Sequence, residues 1–191
     1  MFSPAPAQSD GPLTALSVPD FLSVLEPEIQ DLIRLSLTLY QRELDSGQVL
    51  TDYAHVVLPC AKAYEGFLKH YLNQLGLVSN RVVMSKKFRI GRALNPDVPP
   101  KQRDEWWLFD DLVRLCSRQT AQEMWESWLI CRNKIVHFYP GQFTMLGLVE
   151  AGEHITRLTQ AIASALACRR YARYRFQVGR QLHRNYVHQR L

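Results

Sequence analysis

Between Tyr53 and Leu75 the side chains Tyr53, Val57, Cys60, Tyr64, Leu68, Tyr71 and Leu75 recur every three or four residues. That is the spacing of one helix face and does not fit the two-residue alternation of a half-buried strand. A helix of about six turns with an unbroken apolar stripe has to lie along other helices, so the partners that could cover it decide the fold. Thr51 and Asp52 open this helix and Gly76 ends it. A first partner precedes it. Ser17-Val18-Pro19-Asp20 reads as a start, because serine caps and proline suits the first turn. Phe21, Leu25, Ile29, Leu32, Ile33, Leu37 and Tyr40 then follow at helical spacing, and the pattern fades before Gly47.

Three more helices are expected further along. One begins near Asp104 and runs to about Ser117. Thr120 and Glu123 make the capping box of the next, with Trp125, Trp128 and Leu129 as anchors, and Pro140-Gly141 forces its end near Val136. The last runs from about Thr144 to Ala167 on Leu148, Ile155, Leu158, Ala161, Ile162 and Leu166. Between the second and third helices, residues 77–103 hold Gly91, three prolines and scattered cations, which reads as a long basic loop or small hairpin. The expectation is an all-α bundle of about five helices over residues 17–168, with a loose arm at 1–16 and a basic aromatic tail at 169–191. A chain of 191 residues, 47% hydrophobic, has enough apolar material for one such core. That fraction excludes a mainly disordered chain, and 9 glycines with 10 prolines exclude a fibrous one.

No run of about 18 apolar residues suggests a membrane span. The nearest stretch, 143–168, is interrupted by Glu150, Glu153, His154 and Arg157. The start, MFSPAPAQSDGP, lacks the basic and apolar regions of a signal peptide. Cys60, Cys116, Cys131 and Cys168 show no paired or zinc-like spacing. They read as reduced structural thiols of a cytoplasmic protein. The net charge of +5 hides strong segregation. Residues 1–50 carry seven acids and two bases, residues 81–103 seven bases and one acid, and residues 169–191 seven arginines and no acid. Basic blocks on an acidic body suit a polyanionic partner, although solvated charged segments account for such runs equally well.

The segment Cys131-Arg132-Asn133-Lys134-Ile135-Val136-His137-Phe138-Tyr139 carries the candidate chemistry. Arginine offers phosphate a permanent planar cation, and histidine moves protons near neutral pH. Together they suit cleavage of RNA by its own 2′-hydroxyl, which needs no metal. On an ideal helix five residues place Arg132 and His137 about 140° apart, so the helix has to end between them if they are to converge. Pro140-Gly141 supplies an end. The plainer reading has His137 packed on Phe138 and Tyr139 and Arg132 in a surface ion pair. Asn133 could hold the imidazole or its own backbone. Glu65 interrupts the edge of the apolar stripe on the second helix, where a charge wants a partner. Lys62 or Lys69 could supply one as a helix-surface pair, or Glu65 could orient Arg132 or His137.

Arg132-Asn133, three residues, then His137 resembles the R-x4–6-H signature of HEPN-domain ribonucleases, over about residues 17–168. Leu58 to Lys69 further resembles the HEPN domain of the RNase LS toxin type, in which a basic residue and a glutamate three apart on an early helix join the site. Lys62 and Glu65 have that spacing, with lysine where arginine is usual. The resemblance implies a metal-independent endoribonuclease, a toxin or defence effector, that works without a cofactor as a symmetric homodimer and leaves 2′,3′-cyclic phosphate and 5′-hydroxyl ends. Arg132, His137, Glu65 and Asn133 would be catalytic, and Lys62, Lys134 and Tyr139 would contact substrate. A cognate antitoxin would be a partner. In R-x4-H-x-Y toxins the tyrosine is adenylylated by a nucleotidyltransferase antitoxin, and Tyr139 stands at that place, where a core tyrosine fits as well.

Trp106, Trp107, Trp125 and Trp128 read as packing or dimer-interface residues more than base-stacking ones. The tail interleaves arginines with Tyr171, Tyr174, Phe176 and Tyr186, a combination that suits single-stranded RNA, an acidic protein partner or plain solvation. The alternatives to an enzyme are a non-catalytic helical module binding RNA or protein through this tail, and a helical DNA-binding regulator, for which no helix-turn-helix pattern speaks.

Overall fold

The computed structural model describes residues 15–137, 145–168 and Tyr171, and every element among them is helical. The described residues fall into two compact units, the first within 15–67, 126–137 and 145–161, the second within 68–125, 162–168 and Tyr171. Among the described residues no helix is long and apolar enough to cross a membrane.

In the first unit the expected opening helix is two elements. A 3-10 turn covers Asp20–Val24, and α1 covers Pro27–Ser46. Pro27 causes the division. It holds Glu26 in an extended conformation (φ −60°, ψ 143°) and can occupy only the first turn of a new helix. Leu25 before the break and Ile29 after it are both buried, so the apolar pattern runs through it. Gly47 closes α1 in the left-handed region at φ 63°.

The second helix, α2, spans Ala54–Gln74. Asp52 prepares its start: one carboxylate oxygen accepts the Ala54 N–H at 3.0 Å and the Leu146 N–H at 3.1 Å. The Tyr53 N–H donates to the Leu146 carbonyl at 2.9 Å. Two hydrogen bonds thus tie the chain just before the last helix, α8 (Leu148–Leu166), to the start of α2. Val57, Cys60 and Tyr64 are buried along α2, as the periodicity requires, and Val56 and Phe67 are buried beside them. Buried Ser36 of α1 donates its hydroxyl to the Val56 carbonyl. Gly152 of α8 lies so close to α1 that a β-carbon there would fall 2.6 Å from the Tyr40 hydroxyl.

The second unit holds what reads as a loop. Residues 77–103 contain α3 (Asn80–Val83), α4 (Ile90–Leu94) and a 3-10 turn at Pro100–Gln102. Val78, Phe88, Ile90, Ala93 and Leu94 are buried, a core set spread over elements too short to show a period. The next helix, α5, starts at Phe109 and not near Asp104, and ends at Leu115. Asp104 makes a turn instead, accepting the Trp106 N–H on its side chain at 3.1 Å and the Trp107 N–H on its carbonyl at 3.0 Å. Helix α6 spans Arg118–Trp128. Its capping hydroxyl is Ser117, which accepts the Thr120 N–H at 3.0 Å, three residues earlier than the expected box. Glu123 accepts from the Ser164 hydroxyl at 3.2 Å.

The expectation of four reduced thiols does not hold. Cys116 and Cys168 form a disulfide across a sequence separation of 52, with Cα atoms 5.4 Å apart. No local spacing rule could show it, because the pair joins the ends of α5 and α8. Cys60 and Cys131 are the free, buried cysteines. The tail readings lie outside the described residues except at Tyr171, which is buried. Its ring lies 4.8 Å from that of Tyr71, and its hydroxyl donates to the Gln74 side chain at 2.6 Å. Trp125 and Trp128 are buried, while Trp106 and Trp107 are half-buried; Trp107 donates its indole N–H to the Asn95 carbonyl at 2.8 Å.

Candidate active site

After Trp128 the chain widens into a π-helical turn, Leu129–Asn133, and then tightens into α7, Lys134–Val136. The Lys134 N–H reaches back five residues to the Leu129 carbonyl. A wider turn carries fewer degrees per residue, so it resets the phase at which Arg132 leaves the helix, while residues 134–136 after it are α-helical. His137 then leaves the helix in an extended conformation (φ −106°, ψ 135°), with its N–H donating to the Asn133 carbonyl at 3.3 Å. The two groups converge because the helix ends at Val136 and His137 departs from its phase. Pro140-Gly141, read as the cause, lies outside the described residues.

The result is a chain of contacts within the first unit. The Glu65 carboxylate, from α2, meets one terminal nitrogen of Arg132 at 2.9 Å. The other terminal nitrogen of Arg132 donates to Nε2 of His137 at 3.3 Å. A guanidinium has donors only, so this contact turns the Nε2 edge of the ring toward Arg132. The guanidinium carbon also stands 5.4 Å from the Trp128 ring centroid. The Glu65 and Arg132 side chains are 25% and 26% exposed, so the pair is partly shielded yet reachable. His137 is exposed.

The π turn rests on buried chemistry. The Cys131 thiol meets Nδ1 of His154 at 3.2 Å. Burial pushes the Cys131 thiol up to about 12, and Cys60, with Cys131 nearby, to about 12 as well. Cys131 is therefore a protonated S–H donor at neutral pH, inert as a nucleophile. Burial also lowers His154, against Glu150 and Glu153, which raise it.

The remaining sequence candidates fall out unevenly. Asn133 takes part through its backbone carbonyl. Lys62 is exposed on α2 one turn before Glu65, and no hydrogen bond or ion pair to a described residue engages it; Lys134 is exposed on α7. Tyr139 lies outside the described residues. Trp128 was not singled out beyond packing, although its place four residues before Arg132 is the helical spacing that brings the two together. Among the described residues, no group of three or more His, Cys, Asp or Glu side chains is placed to hold a metal ion. Compared with protein-family models, curated proteins and solved structures, the chain matches none of them.

Proposed function

We propose that this chain is a metal-independent endoribonuclease of the HEPN kind. The observation that carries the reading is the Glu65–Arg132–His137 contact chain, built from two elements far apart in sequence. His137 brings an exposed imidazole beside the guanidinium, and an imidazole can act as a general base once substrate displaces the Arg132 contact at Nε2. In the proposed reaction this nitrogen takes the proton from a ribose 2′-hydroxyl. O2′ then attacks the adjacent phosphorus, the P–O5′ bond breaks, and O5′ leaves with a proton from an imidazolium. The products are a 2′,3′-cyclic phosphate and a 5′-hydroxyl. Arg132 stabilises the negative charge that builds on the phosphorane oxygens, and Glu65 keeps its guanidinium in place. Exposed Lys62 and Lys134 add attraction for phosphate.

One imidazole cannot begin as base and serve as acid in the same step. A second copy of the chain, bringing its own imidazole in a symmetric homodimer, supplies the acid. An antitoxin protein that covers this face is the partner the HEPN resemblance implies.

The test is incubation of purified protein with RNA in EDTA, with product ends mapped chemically. Wild type is expected to give cyclic phosphates, and RNA carrying 2′-O-methyl riboses is expected to resist. Cleavage by His137→Ala at the wild-type rate would overturn the proposal.

A further inference from the structure

The second unit carries a strip of cations that the proposed cleavage site does not use. Between residues 81 and 103 the chain has seven bases and one acid, Asp97. Some of these charges are neutralised internally. Arg92 pairs with Asp104 at 3.1 Å; Arg103 lies 3.9 Å from Asp110 and 3.8 Å from the Trp107 ring centroid. Arg81, Lys86, Lys87 and Arg89 are different. All four are exposed, and none makes an ion pair with a described residue.

Their backbone is held firmly. The Ser79 hydroxyl accepts from the Val82 N–H at 3.4 Å, and that of Ser85 from the Lys87 N–H at 3.1 Å. The Phe88 N–H donates to the Ser85 carbonyl at 3.3 Å. Phe88 and Ile90 are buried, and Phe88 meets the Trp106 ring edge-on with centroids 6.5 Å apart. A turn anchored on both sides thus holds four uncompensated cations in water within nine residues. Like charges kept this close repel one another, and a polyanion relieves that cost. Met84 is the only exposed large apolar side chain described between 78 and 103, so the strip lacks the apolar centre that a protein interface needs.

We infer that Arg81, Lys86, Lys87 and Arg89 form a docking strip for the phosphate backbone of an RNA strand. The inference takes its ligand from the ribonuclease reading, and its test separates the two. The probe is a short single-stranded RNA with 2′-O-methyl riboses, which cannot be cleaved by 2′-hydroxyl attack. Its affinity is measured by fluorescence anisotropy between about 50 and 200 mM salt. Replacing all four residues by alanine is expected to weaken binding for every sequence and to make the log–log salt slope shallower by about 3, at about 0.7 per lost phosphate contact. Should that variant fold poorly, Lys86→Ala with Lys87→Ala gives a change of about 1.4. Lys86→Arg with Lys87→Arg is expected to keep the wild-type slope. An unchanged slope in the alanine variants overturns the strip, even where unmodified RNA is cleaved. Wild type that binds with the expected slope and never cleaves leaves the strip standing and removes the nuclease. Loss of binding to polyglutamate or anionic vesicles, with RNA binding intact, assigns the strip to another partner and overturns it as well.

Discussion

Arg132 holds two contacts that pull its guanidinium in different directions, a carboxylate at 2.9 Å and an imidazole nitrogen at 3.3 Å. The side chain is thus oriented in advance, and in the proposed cleavage the rate should depend on that orientation as well as on charge. Arg132→Lys keeps the charge and loses the planar fork. It is expected to lower kcat about 10²-fold, close to the loss of one transition-state donor. Glu65→Gln keeps the shape and removes the charge. It is expected to lower kcat about ten-fold with little change in KM, because Glu65 positions Arg132 and does not meet substrate. Equal falls in kcat and rises in KM would contradict that role. His154 makes a separate claim about stability. Its folded pKa lies below the ordinary value because of burial, so between the two values the unfolded chain binds a proton that the folded chain does not. Stability from this group is complete above about pH 6.5 and falls as the solution is acidified through the lowered value. Urea midpoints from pH 8 to pH 5 should decline in wild type and decline less in His154→Gln.

At the scale of the element, a helix end decides whether Arg132 and His137 meet: α7 stops at Val136 and His137 leaves it in an extended conformation. The sequence made the convergence legible as a geometric problem and put the helix end near Val136, where α7 stops, but it did not show the widening before that end. Leu129-Ile130-Cys131 contains no glycine or proline to mark an irregularity, and the widening leaves no trace in apolar period over so short a run. Long helices were legible for the opposite reason. The stripes of α1, α2 and α8 span enough turns to exclude a strand, whereas α3 and α4 have four and five residues and cannot express a period. Contacts between distant residues were legible only as needs. Glu65 at the edge of an apolar stripe called for a partner, and the sequence offered Lys62, Lys69, Arg132 and His137 on equal terms. Gly152 gave no such hint. A glycine inside a helix reads as a weakness, yet its missing side chain lets Tyr40 pass. Gly152→Ala should therefore destabilise the protein by about 1–3 kcal/mol in urea unfolding, against the gain that alanine brings to an unconstrained helix.

For the whole molecule, the disulfide is the feature with the longest reach in sequence. Cys116 and Cys168 close a loop whose ends are 52 positions apart, and chain-entropy arguments give such a link about 4 kcal/mol, a large share of an ordinary domain's stability. The bond is set among groups that share its fate. The Tyr71 hydroxyl donates to the Cys116 sulfur at 3.1 Å, and the Tyr71 ring meets Tyr171, whose hydroxyl donates to Gln74 at 2.6 Å. These contacts all lie within the second unit, whereas Glu65, Arg132 and His137 belong to the first. Reduction should therefore separate stability from chemistry. Under dithiothreitol, or in Cys116→Ser with Cys168→Ser, the urea midpoint is expected to fall by the equivalent of about 2–4 kcal/mol. RNA cleavage measured well below that midpoint should keep its rate, because no atom of the contact chain touches the bond. If cleavage instead vanishes on reduction while the protein stays folded, the two units are coupled and the site cannot be understood from the first unit alone.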